Sequence, residues 1–268
     1  MDVEVLSGPG AAQVVRLLSG FGAGLVHVTE VSRPGAPALV VGTRPDPAAD
    51  AVVAPDGPAV RRLWARRVEP FARWWAGLRH APPGPPVLHD HDPALPLAAR
   101  RLLDRLRAGL REHDDGWSYD HIGSTAVPGL RAKPLVDLQV GVSALPAGGS
   151  AVDAVLARAG FRPPTGVRPD APGVHRDYER QPGLAPPGAY RKRLYVRADP
   201  ACPAILHVRL LGAPWWADTV RFRDLLRADP DVRRAYQELK ERSAREHGGG
   251  QDYDDYTRSK SAFFADLP

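Results

Sequence analysis

Between Ala81 and Pro93 the chain reads APPGPPVLHDHDP, with Pro82, Pro83, Pro85 and Pro86 almost side by side. Each proline removes a backbone donor and fixes its own φ, so this stretch has neither a helical nor a strand period and reads as a semi-rigid linker. It divides the 268 residues into a small piece, 1–80, and a larger one, 94–268. Any fold for this chain has to be assembled on either side of that break.

In the small piece, Ala11–Leu18 reads as a short helix, and Leu25–Val31 and Ala38–Val41 as short β-like runs. From Gly57 to His80, apolar Val60, Leu63, Trp64, Val68, Phe71, Trp74, Trp75 and Leu78 recur at spacings of three and four. That spacing predicts an amphipathic helix kinked or broken at Pro70. The first 80 residues therefore read as a small α/β extension.

Past the linker, Leu97, Leu102, Leu103, Leu106 and Leu110 predict a helix over Leu95–Glu112 with arginines on its outer face. Strands are expected at Ser118–Ile122, Pro134–Val142, Arg193–Arg197 and Ala204–Leu211, and helices at Ser150–Ala159, Trp216–Arg227, Val232–Glu246 and Tyr253–Leu267. Arg162–Ala189, rich in Pro, Gly and charge, reads as a long irregular loop.

Composition narrows the function classes. The formal charge is +5, from 36 Lys+Arg against 31 Asp+Glu. Only Lys133, Lys192, Lys240 and Lys260 are lysines, so arginine supplies nearly all of the positive charge, as in chains rich in Ala, Gly and Pro. A charge that small, spread over the whole length, speaks against nucleic acid as the partner. No apolar run approaches the roughly 20 residues of a membrane helix, and MDVEVLSGPG has no basic-then-apolar leader pattern. The single cysteine, Cys202, excludes an internal disulfide and a cysteine-rich zinc site. A cytoplasmic protein is the expectation.

The segment with most chemistry is Tyr119–Val142, YDHIGSTAVPGLRAKPLVDLQVGV. One strand ends at Gly123-Ser124, and a second presents Asp137 opposite an apolar face of Val136, Leu138, Val140 and Val142. A glycine lets the backbone approach a ligand, and a serine hydroxyl with exposed amides can hold phosphate oxygens. A neighbouring carboxylate can hold Mg2+, which favours one or two carboxylates plus substrate phosphates. A serine in a loop near an aspartate in a strand also arises without any function.

HIGSTAVPGL followed by AKPLVDLQVGV resembles the signature of the GrpB family. The likeness continues through RKRLYVRADPACPAILHVRL and WWADTVRFRDLLRADPDVRRAYQELKERSA to DYTRSKSAFF, about Leu95–Leu267. It implies a nucleotidyltransferase-like fold of the DNA-polymerase-β type, a mixed sheet with flanking helices, so that the chain is α/β (α+β) with the N-terminal extension added. Within the family the sequence is most similar to GrpB domains fused behind dephospho-CoA kinase in actinobacteria. ADAVVAPDGPAVRRLWARRVEPFARWW resembles the tail of that kinase. The kinase's phosphate loop G-x-x-x-x-G-K-[ST] does not occur, which argues against kinase activity in this chain.

By the same resemblance, Gly123 and Ser124 match the pair that contacts a triphosphate, and Asp137 matches the first carboxylate of a D-x-[DE] metal motif. Gln139 stands where the second is expected, which weakens two-metal transfer. A third carboxylate is expected on a later strand, where only Asp199 ends RLYVRAD. The remaining candidates for an anion site are His121, Thr125, Lys133, Arg191, Lys192, Arg193, Arg197, His207 and Arg209, since arginine suits bidentate phosphate contacts. The Arg191–Arg193 run is equally readable as a solvated loop edge, and the two histidines as structural ones.

His89–Asp92 reads as a solvated turn, Trp74-Trp75 and Trp215-Trp216 as packing residues, and Asp252–Asp255 as a helix start. Cys202 has no environment that would lower its pKa. Two functions stand against each other. One is a nucleotide- or phosphometabolite-binding protein with Mg2+-dependent nucleotidyl transfer from Asp137 and Ser124, linked by gene fusion to coenzyme A metabolism. The other is a catalytically inactive module that stabilises or binds a protein partner.

Overall fold

In the computed structural model the described residues are 1–22, 24–77, 87–165, 173–179 and 183–247. The expected helix at Tyr253–Leu267, the Asp252–Asp255 group and most of the proline run lie outside them. Among the described residues the strands form two four-stranded sheets.

The first sheet contains β1 (Asp2–Leu6), β2 (His27–Val31), β3 (Leu39–Gly42) and β4 (Ala51–Val52), in the order β2-β1-β3-β4 and parallel throughout. Helix α1 (Ala11–Phe21) buries Val14 and Leu18 on it. The strand β1 escapes a periodicity scan because only Val3 and Val5 alternate before Leu6. Parallel pairing buries both faces of a strand, and β3 accordingly is buried at all four positions. From Gly57 the chain is helical to Trp75. It runs as α2 (Gly57–Leu63), a π turn over Trp64–Val68, and α3 (Glu69–Trp75). Pro70 therefore ends neither helix nor chain direction: the widened turn just before it absorbs the donor that proline lacks. Asp56 caps α2, its carboxylate accepting from the Ala59 amide at 2.7 Å.

The second sheet contains β5 (Ser118–Ile122), β6 (Val136–Val142), β7 (Lys192–Arg197) and β8 (Ala204–Leu210), ordered β5-β6-β8-β7. β6 and β8 are parallel, with Asp137 opposite Ile205 and Gln139 opposite His207, and the outer pairs are antiparallel. Val136, Leu138, Val140, Leu206, Val208 and Tyr195 face helices α4 (Ala94–Leu110) and α5 (Ala151–Arg158) and make the main core. The opposite face is polar. Helix α6 (Pro214–Ala228) lies over it, and α7 (Pro230–His247) packs on α6 through Phe222, Leu226 and Tyr236.

A polar seam joins the halves. Asp199, fully buried, takes bidentate bonds from Arg67 (2.9 and 2.7 Å) and a third from Arg197 (2.7 Å). Arg197 also donates to Ala38 O at 2.7 Å, and its guanidinium covers the Phe71 ring at 4.7 Å. Arg105 on α4 meets Asp50 at 3.0 Å, and the Trp75 indole donates to Ala157 O at 3.0 Å. Two glycines let the surfaces close: a Cβ at Gly160 would come within 2.7 Å of Phe71, and one at Gly109 within 2.9 Å of Ala36.

Candidate functional site around the Gly123 turn

β5 ends at Ile122, and the next residue turns back with φ +70° and ψ −171°, a conformation reserved for glycine. The turn brings Gly123 against Asp137: a Cβ there would lie 2.9 Å from the Asp137 Cβ and overlap its carboxylate. Ser124 opens a short 3-10 turn to Ala126. Thus Gly123, Ser124 and Asp137 are brought together, across strands that pair Ile122 with Asp137.

The turn is held from behind. Thr125 donates its hydroxyl to Leu135 O (3.2 Å), so its lone pair accepts from His121 Nε2 (3.0 Å), leaving Nδ1 as the ring's acceptor. Burial, then Arg227 and Arg223, push the His121 pKa down to about 4, so the imidazole is neutral at pH 7. Arg227 donates twice to Ala126 O (3.0 and 2.8 Å), and Arg223 to His121 O (3.0 Å) and Asp120 (3.3 Å). These α6 arginines sit at the turn, and sequence reasoning missed them because they lie about 100 residues further along the chain. Past the turn, Lys240 donates to Arg131 O, while Arg131 reaches Glu241 (3.1 Å) and Asp90 (3.0 Å). His89 forms a two-way backbone bridge to Ala132 (2.8 and 2.9 Å). So His89–Asp92, exposed as expected of a turn apart from half-buried His91, is nonetheless pinned, and it lines a cavity of about 280 Å³ with Thr125 and Pro134.

The basic candidates divide by face. Paired residues on neighbouring strands project to the same side. Lys192, His207 and Arg209 therefore share the polar face with Asp137 and Gln139, whereas Arg193 and Arg197 project with Tyr195 to the core side. Arg193 is taken up by Asp153 and the carbonyls of Pro146 and Ala147, and Arg197 by the seam. Arg191 is exposed. Lys133 is half-buried in the loop leading to β6. Strand alternation therefore directs only part of the expected basic set at the polar face.

Gln139 is fully buried and its amide is engaged: Oε1 accepts from Arg209 (2.7 Å) and Thr219 (2.9 Å), and Nε2 donates to Trp216 O (3.0 Å). Asp199 belongs to the seam. Among the described residues no group of three or more His, Cys, Asp or Glu side chains is placed to hold a metal ion. This donor set does not fit a two-metal centre. Asp137 is the one carboxylate on that strand that would hold a single Mg2+ arriving with a ligand's phosphates. Cys202 is buried, its thiol pKa pushed up by burial, and Trp74-Trp75 and Trp215-Trp216 pack as the sequence implies. Among the described residues no helix is long and apolar enough to cross a membrane.

A mixed sheet with one apolar face, one helix-roofed polar face and a glycine turn set against a carboxylate defines a mixed α/β protein with a candidate ligand-binding edge. The GrpB protein family model matches residues 85–268, and the chain belongs to that family. It is 33% identical over 211 residues to the dephospho-CoA kinase of Mycolicibacterium paratuberculosis, which covers 77% of this chain and 50% of that protein. A UPF0157 protein of Streptomyces coelicolor is 36% identical over 162 residues, 60% of this chain and 69% of its own length. The crystal structure of GrpB from Enterococcus faecalis aligns with a TM-score of 0.44 and 21% identity, over 66% of this chain and 97% of that one. The chain spans about half the length of the kinase relatives it matches.

Proposed function

We propose that this GrpB-family protein binds a nucleotide or another phosphorylated small molecule at the Gly123-Ser124 turn, in a nucleotidyltransferase-like C-terminal half acting in the cytoplasm. The observation that carries this reading is the fit of Gly123 against the Asp137 carboxylate, which leaves backbone and carboxylate side by side with no side chain between them. Ser124 and the amides of the turn would receive phosphate oxygens. Asp137 would hold the Mg2+ that accompanies the phosphates. That ion would supply charge neutralisation. Kinship with proteins named dephospho-CoA kinase makes coenzyme A precursors and ATP the first ligands to try.

Calorimetric titration of ATP, GTP, CTP, UTP and dephospho-CoA, with and without Mg2+, tests it on wild type and Asp137→Ala. Binding that needs Mg2+ and disappears in the variant is expected. Absence of binding under every condition would overturn it.

A second reading, a catalytically inactive module that stabilises or docks a protein partner, is favoured by Gln139. Its amide is spent on Arg209, Thr219 and Trp216, so no second carboxylate stands beside Asp137 on that strand.

A further inference from the structure

On the polar face, at the β7 edge, a cluster of charge is sealed from water. Arg209 embraces Asp177 with two bonds, Nε to Oδ2 at 2.7 Å and Nη2 to Oδ1 at 3.1 Å, and Lys192 Nζ reaches the same carboxylate at 2.7 Å. The His207 Nδ1 lies 3.4 Å from both cations. Asp177, Lys192 and Arg209 are deeply buried, and His207 is half-buried beside them. Asp177 is supplied by the loop preceding β7. Its segment hangs on the sheet edge by Asp177 N to Tyr190 O (2.8 Å), Lys192 N to His175 O (3.0 Å) and the Trp215 indole to Tyr178 O (2.7 Å).

The charges in this cluster do not cancel. Lys192 and Arg209 bring two positive charges, Asp177 brings one negative, and Gln139, the other acceptor of Arg209, is neutral. Burial and its two cationic neighbours keep His207 neutral. Burial and Arg209 lower the Lys192 pKa to about 8, the response of a cation with too little negative charge around it. A buried single positive excess is costly. A dianionic phosphoryl group would remove it, and a guanidinium fork with an adjacent ammonium is the donor geometry such a group takes.

We propose that Lys192, His207 and Arg209 form a phosphoryl-binding site on the polar face, and that the Asp177 carboxylate occupies it as an internal stand-in that a ligand's phosphate displaces. The proposal extends the phosphate-binding reading of this face, but needs neither Mg2+ nor Asp137, so either can fail without the other. Displacement requires the edge segment around Asp177 to peel from β7 and from Trp215; among the described residues β7 is the last strand of the sheet on that side.

The test uses inorganic phosphate as the probe in thermal unfolding without Mg2+, against chloride and acetate at matched ionic strength. Asp177→Ala should lose stability and regain it with phosphate in a saturable way, by roughly 4 °C. Acetate should restore less, and adding Arg209→Gln should abolish the effect. Equal responses to phosphate and chloride would overturn the site, and equal rescue by acetate would overturn its phosphoryl preference. Should Asp177→Ala fail to fold, amide exchange in wild type decides: phosphate should speed exchange at the Asp177 and Lys192 amides, and unchanged exchange would overturn the displacement.

Discussion

Arg67 and Asp199, 132 residues apart, form a bidentate ion pair of 2.9 and 2.7 Å with the carboxylate wholly removed from water. Arg197 shares that carboxylate, and three neighbouring bonds carry the same seam to Asp50, Ala38 and Ala157. Removing one partner of such a pair leaves buried charge unpaired. Asp199→Ala should therefore cost about 3–5 kcal/mol in urea unfolding. Arg67→Met, which keeps most of the volume, should cost less and split the transition into two, read by far-UV and tryptophan signals.

Two glycines with positive φ near the turn give a controlled comparison. Gly129, φ +76°, has open space where a Cβ would go, whereas Gly123, φ +70°, has Asp137 there. Gly129→Ala should cost about 1 kcal/mol from backbone strain alone. Gly123→Ala should cost about 3 kcal/mol, strain plus the displaced carboxylate, and should abolish any Mg2+-nucleotide binding. Equal costs would show that the Asp137 contact is slack.

His121, with its pKa lowered to about 4 in the fold against 6.5 unfolded, binds fewer protons folded than unfolded across that interval. Stability is therefore complete above pH 6.5 and is lost progressively as pH falls toward 4. His207 acts in the same direction. Melting temperature should decline between pH 7 and 5, and His121→Gln, which keeps a donor for Thr125, should flatten that decline. A slope identical to wild type would assign the acid sensitivity elsewhere.

Gln139→Glu restores the carboxylate that the family resemblance leads one to expect. Arg209 Nη1 and Thr219 already point at that oxygen, and the lost Nε2 donor leaves Trp216 O facing a carboxylate. We expect Mg2+ affinity to stay at the wild-type value in calorimetry. A gain of tenfold or more would mean that the residue can leave Arg209 for a metal.

Elements with sustained periodicity were legible in the sequence. The α4 leucines and the alternation of β6 placed both within a few residues of their observed ends, and the Gly-Ser-to-Asp137 juxtaposition followed from two strands and a tight turn. β4, two residues long, is too short to show a period, and β1 went unread because it carries only two alternating valines, Val3 and Val5. Alternation puts Lys192 and Arg193, adjacent in sequence, on opposite faces, but local pattern could not show which of them meets the core until the register with β8 was fixed. Asp177 stood in a segment read as irregular, and Arg223 and Arg227 in a helix read only for its apolar side. What they touch is set by folding over long separations, which no window of a dozen residues records.

Gly160 and Phe71 lie on opposite sides of the proline-rich segment, yet position 160 cannot gain a side chain against Phe71, nor position 109 against Ala36. The two halves are therefore bound to a shared inheritance. A chimera taking its first 77 residues from one relative and its remainder from another would carry a mismatched joint wherever those partners differ. Substitutions at 109 tolerated through evolution should be answered at 36 and 155, so that a proline-rich stretch which looks like a place to exchange modules separates two parts that must vary together.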